Sequence, residues 1–155
     1  MASPLVRRIF QIRPINWLVE KRTVVICAGD GGIPTAFGTD GNLAGIEAVI
    51  DKDLTSEPLA RDTDADLFIS ATDAECVYLD WGAGNQRGIK SATPDAMGQF
   101  DFATGSMGPK VDAACQFARR TGKVAAIGAL AGLKDIVAGA KGTTIRVDAG
   151  EMVFH

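Results

Sequence analysis

The sequence predicts an α/β fold, a mostly parallel sheet with helices packed against it. Continuous apolar, β-branched runs recur at residues 23–28 (TVVICA), 66–71 (DLFISA) and 124–127 (VAAI), the pattern of strands buried on both faces. Segments with helical spacing stand between them, so strands and helices alternate. The loops richest in Gly, Asp and Lys fall at a strand end or a helix start, where such sheets hold their ligands. At 155 residues the chain can bury one core, and we read one α/β domain over residues 1–147 and a polar tail over 148–155.

Each element has its own signal. Residues 14–21 form a short amphipathic helix, with Ile15, Leu18 and Val19 on one side. The strand at 23–28 runs straight into the loop Gly29-Asp30-Gly31-Gly32. Thr39-Asp40-Gly41-Asn42 has the composition of a hairpin turn. After an apolar stretch at 46–50, a helix is expected over 54–61 with Asp53 as its N-cap. Pro58 inside that helix costs about 3 kcal/mol, so the helix should start late or kink there. The strand at 66–71 ends in Thr72-Asp73, and residues 76–79 form a further short strand. Residues 82–93 read as a polar loop.

Thr93 then caps a small helix with Pro94 at its first position. A glycine-rich loop at 104–110 opens a helix over 110–120, where Val111, Ala114, Cys115 and Ala118 share a face and Gly122 ends the helix. The third buried strand, a helix at 133–138 and a last strand at 143–147 complete the chain.

Composition excludes several functions. With a net charge of −3 and no basic patch, nucleic acid is not an expected partner. Cys27, Cys76 and Cys115 are odd in number, far apart and without CxxC spacing, so they read as reduced, buried thiols of a cytoplasmic protein. They make neither a zinc site nor a disulfide framework, and no metal-ligand cluster is legible. The single histidine, His155, is the last residue, a poor place to hold a catalytic base. No apolar run reaches the roughly 20 residues that span a bilayer, and residues 1–10 lack the apolar core of a signal peptide, so no membrane partner is expected.

Three loops can carry chemistry. The glycines at 29, 31 and 32 follow a strand and can aim backbone N–H groups at an anion, although a tight turn alone explains them equally well. Asp51-Lys52-Asp53 reads by spacing as a solvated charged cluster; the alternative is a lysine reaching phosphate oxygens beside an acid that positions it. Gly105-Ser106-Met107-Gly108-Pro109-Lys110 delivers a lysine to a helix N-terminus, where a cation opposes the helix dipole. A phosphate between the two would remove that conflict. Thr72-Asp73 could line a nucleotide pocket or simply turn the chain, and Trp17 and Trp81 read as packing residues.

In this order the segments CAGDGGIPT, GIEAVIDKDL, TDAECVYLDWG, ATPDAM, TGSMGPKVDAA and GTTI resemble the carbamate kinases of the amino acid kinase superfamily, over about residues 3–146. The resemblance implies a three-layer α/β/α sandwich. It also implies reversible phosphoryl transfer between ATP and carbamate, giving ADP and carbamoyl phosphate, with magnesium carried by the nucleotide. By position, Lys52 resembles the nucleotide-phosphate lysine and Asp53 the acid that orients the catalytic cations. Lys110 resembles the lysine that neutralises the transferring phosphoryl group. Thr72, Asp73, Tyr78, Gly105 and Met107 fall in segments bordering the nucleotide, and Gly29, Gly31 and Gly32 in the loop facing substrate.

Family chains are roughly twice as long as this one, which corresponds to their carboxy-terminal, nucleotide-binding half. A homodimer, or pairing with an amino-terminal half, would cover the surface so exposed. Asp30 stands where the family usually has glycine, and Pro58 where it has an ordinary helix. Two other readings stand beside carbamate kinase: a nucleotide-binding module without turnover, and another amino acid kinase activity on acetylglutamate or uridylate.

Overall fold

The computed structural model describes residues 4–155. The chain forms two compact units, one ending at Asp64 and the other running from Ala65 to His155.

The first unit begins with α1 (Ile12–Glu20), which buries none of its residues. A hairpin follows, β1 (Thr35–Phe37) antiparallel to β2 (Leu43–Gly45). Its turn is the one expected. The Asp40 carboxylate accepts from the Asn42 backbone N–H at 3.1 Å and from its side-chain amide at 2.8 Å. Those bonds favour the charged form and hold the Asp40 carboxyl below its ordinary range.

α2 (Lys52–Asp62) starts earlier than expected and has a different cap. Asp51, not Asp53, is the N-cap: its carboxylate accepts from the backbone N–H groups of Asp53 at 2.8 Å and Leu54 at 3.3 Å. Asp53 lies in the first turn, where its charge suits the helix dipole. Pro58 is buried inside the helix, which continues to Asp62.

Residues 23–28, expected as a buried strand, form none. They pair with no other segment among the described residues, and Val24 and Ile26 are 92% and 96% exposed. The composition suits a strand, but a strand needs a neighbour to take its backbone hydrogen bonds.

The second unit is α/β. Its strands are β3 (Leu67–Thr72), β4 (Val77–Leu79), β5 (Arg87–Ala92), β6 (Val124–Ala129), β7 (Thr143–Ile145) and β8 (Val153–Phe154). The order is β3-β6-β7-β5-β4, with β8 also on β5. The sheet is mixed. β3 runs parallel to β6 over six residue pairs and β5 parallel to β7, whereas β6–β7, β4–β5 and β5–β8 are antiparallel.

β5 lies within the stretch read as a polar loop, because its inward residues Ile89 and Ala92 are masked by Arg87, Lys90 and Ser91. β8 lies within the stretch read as a polar tail: Val153 and Phe154 return to β5, and the His155 N–H donates to the Gly88 carbonyl at 3.0 Å. The terminal histidine is therefore held.

The helices of this unit are α3 (Pro94–Met97), α4 (Met107–Thr121) and α5 (Leu133–Val137). α3 is capped by the Thr93 hydroxyl, which accepts from the Ala96 N–H at 3.1 Å, with Pro94 in its first turn as expected. α4 begins three residues before the predicted Lys110 and ends at Gly122, whose φ of 71° is left-handed. It buries the predicted Val111, Ala114, Cys115 and Ala118 together with Phe117. Phe117 meets Phe68 of β3 at 5.6 Å between ring centroids, and the small Ala125 and Ala126 of β6 are buried too. Burial pushes the Cys115 thiol up to about 11, so it stays neutral in the core.

Polar side chains also lie inside this core, Ser70 of β3 and Thr143 of β7. Thr143 is fully buried; its hydroxyl donates to the Ile89 carbonyl at 2.6 Å and accepts from the Val77 N–H at 2.8 Å. Thr143→Val keeps the shape and strands both backbone partners. It should destabilise the protein by about 1–3 kcal/mol in denaturant unfolding, with Thr143→Ser close to wild type.

Candidate functional site

The predicted site residues fall into two sets, each within its own unit. In the first unit, Gly29, Gly31 and Gly32 have φ of 52°, 125° and 93°. Gly31 is the one that must be glycine, since a Cβ there would collide with the Ile50 carbonyl oxygen. Its own carbonyl accepts from the buried Thr55 hydroxyl at 2.9 Å. Thr55 belongs to the first turns of α2, so this bond ties the glycine loop to the helix start that carries Lys52 and Asp53. Lys52 is exposed and Asp53 half-buried.

The second set surrounds a cavity of about 700 Å³ in the second unit. Thr72 and Asp73, at the end of β3, form one edge; the Thr72 hydroxyl donates to the Asp73 carboxylate at 3.0 Å. Tyr78 of β4 lies on another wall. Met107 and Lys110 enter from the first turn of α4, whose N-cap Ser106 makes no side-chain capping bond. Gly105 leads into that turn without lining the cavity. Gly108 is needed there, because a Cβ would press on the carbonyls of Ala103 at 3.0 Å and Phe102 at 3.2 Å. Thr72, Asp73, Tyr78, Met107 and Lys110, spread over nearly 40 positions of sequence, therefore meet around one space.

The Tyr78 phenol is pushed up to about 12, first by hydrogen bonding with the Cys76 thiol and then by burial, so it stays neutral and can donate. Burial raises the Cys76 thiol as well. Sequence reasoning missed Trp81, Arg87 and residues 99–103, all of which line the cavity. Trp81 was expected to pack; it is 69% exposed and stands 4.9 Å from the Tyr78 ring. Trp17 is likewise exposed. Among the described residues, no group of three or more His, Cys, Asp or Glu side chains could hold a metal ion, and no helix is long and apolar enough to cross a membrane.

Compared with known proteins, residues 2–128 match the model of the amino acid kinase family. The chain belongs to this family. It is 57% identical over 143 residues to carbamate kinase from Haemophilus influenzae, covering 92% of this chain and 46% of that protein. With carbamate kinase from Rhizobium meliloti it shares 53% over 157 residues, covering 100% of this chain and 48% of the relative. The chain thus spans about half the length of the curated relatives it matches. Among solved structures, carbamate kinase from Giardia lamblia bound to AMP-PNP superposes with a TM-score of 0.91 at 32% identity, over 96% of this chain and 53% of that one. The α/β amino acid kinase fold is the one expected from the sequence.

The glycine loop can be tested directly. Gly31→Ala meets both a left-handed φ and the Ile50 carbonyl, and should lower stability by about 1–3 kcal/mol in thermal or denaturant unfolding, whereas Gly29→Ala, with open space around it, should cost less.

Proposed function

We propose that this chain forms the nucleotide-binding half of a carbamate kinase, transferring a phosphoryl group reversibly between ATP and carbamate to give ADP and carbamoyl phosphate. The observation that carries the reading is the cavity in which Thr72, Asp73, Tyr78, Met107 and Lys110 converge, in a chain similar to a carbamate kinase bound to AMP-PNP.

Phosphoryl transfer needs positioning and positive charge more than covalent help. Lys110, in the first turn of a helix whose N-terminal N–H groups also favour anions, suits the transferring phosphoryl group. Lys52 and the backbone of Gly29, Gly31 and Gly32 suit phosphate and substrate oxygens. Magnesium would come with the nucleotide and offset its charge; hard oxygen donors suit it, and Asp53 is the carboxylate we assign to that end. Asp30, exposed in the glycine loop, would oppose an anionic substrate.

One observation favours a second reading, a nucleotide-binding module that turns over only with a partner. Val24 and Ile26 stand almost fully exposed in a segment of strand-like composition that pairs with no other among the described residues, and the chain spans about half the length of its relatives. The partner would be the other half of such a kinase or a second copy of this chain.

Calorimetric titration with magnesium-ATP tests the nucleotide assignment. Lys110→Ala and Lys52→Ala should each weaken binding about 10- to 100-fold, the worth of a charge-assisted hydrogen bond, with unfolding midpoints unchanged. A folded double variant with wild-type affinity would remove these lysines from the site. In a second assay, ADP formation from ATP and carbamate by the 155-residue chain alone would support the first reading, and binding without turnover the second.

A further inference from the structure

Arg87 has no assigned role, and its position gives it one. It opens β5, opposite Leu79 of β4 in the antiparallel ladder, and lines the same cavity as Tyr78, Trp81 and Lys110. Among the described residues its guanidinium has no ion-pair partner; instead it lies over the Phe154 ring, 4.4 Å from the centroid. Phe154 is fixed by the β5–β8 ladder, where it is opposite Ile89. A chain of turn bonds holds the other side: the Ala83 N–H donates to Asp80, the Gln86 N–H to Ala83, and the Gly82 N–H to the Gln86 side chain at 3.1 Å. Both ends of the segment carrying Trp81 and Arg87 are therefore anchored. A planar cation laid on an aromatic face keeps its N–H edge free to donate.

The surrounding charge says which end of a ligand this donor meets. Asp73, Asp80 and Asp101 line the cavity with Arg87 and Lys110. Lys110 lies on the helix start, whereas Arg87 lies on β5, paired with the strand that carries Tyr78 and leads directly to Asp80 and Trp81. A phosphate at the aromatic end would face carboxylates without a helix N-terminus to offset them; a neutral heteroaromatic base would not, and its ring acceptors need donors. We infer that Arg87, held by Phe154, is a recognition residue for the base of the nucleotide, and that β8 thereby sets nucleotide affinity without touching the ligand. The inference rests on the nucleotide reading of this cavity.

Titrations of the full 155-residue chain with ADP and with adenosine, which lacks phosphate, test it. Arg87→Ala should weaken both ligands by the same factor, about 5- to 20-fold. Lys110→Ala should weaken ADP alone. Phe154→Leu, which keeps an apolar residue in β8, should cost both ligands about 2- to 5-fold in the wild type and nothing further in the Arg87→Ala background. That coupling distinguishes positioning of Arg87 from general loosening of the sheet, which would add to the Arg87→Ala loss. If Arg87→Ala weakens ADP alone, the residue belongs to the phosphate end and the inference is wrong. Unchanged binding of both ligands refutes it while leaving the nucleotide reading standing. A wild-type chain that binds neither ligand removes the nucleotide reading and this inference with it.

Discussion

A single buried hydroxyl ties three strands of the second unit together. Thr143 donates to one strand and accepts from another, so β4, β5 and β7 are joined at a fully buried point by a group with no unsatisfied atom. Buried polar groups are tolerated only on such terms. Every cavity residue drawn from β4 and β5 takes its place relative to this point: Tyr78 follows Val77 directly, and Arg87 lies two residues before Ile89 on the same strand. Because β6 runs antiparallel to β7, the same residue also links the β4–β5 wall to β6 and, through it, to β3 with Thr72 and Asp73 at its end.

Around that frame the chain uses small residues where backbone must approach backbone. Gly128 has the Glu75 carbonyl and the Gly142 Cα within 3.0 Å of where a Cβ would stand, and Gly108 is pressed against residues 102 and 103. The abundance of glycine has little to do with flexibility at these positions. It lets the helix start that bears Lys110 sit against the loop before it, and lets the strand after α4 pass close to its neighbours. The fold brings cations and backbone N–H groups to the cavity while leaving three carboxylates on its wall, an uneven charge pattern that suits a ligand with one anionic and one neutral end.

Much of this was legible in the sequence where the signal is local. Thr93-Pro94 and Gly122 mark helix ends because capping and left-handed φ are properties of one or two residues. The buried face of α4 follows from spacing alone. The cap of α2 shows the limit of local reading. Asp51 and Asp53 are both chemically able to cap; extended backbone at Asp51, with φ −67° and ψ 132°, lets its carboxylate reach the first free N–H groups and decides between them. Lys110, Thr72 and Asp73 could be named in advance because each lies at or next to the end of an element.

Composition and spacing by themselves determined the α/β class and most of the helices, since apolar periodicity and capping chemistry act over a few neighbouring residues; Lys52 became a candidate only through the resemblance to a family. Tertiary structure decided what depends on partners distant in the chain. Residues 23–28 have the composition of a strand and pair with no segment among the described residues, whereas residues 87–92 look polar and become a strand because β4, β7 and β8 take up their hydrogen bonds. Trp81 and Arg87 enter the cavity by the same route: strand pairing, a non-local event, carries them there, and nothing in their immediate sequence announces it.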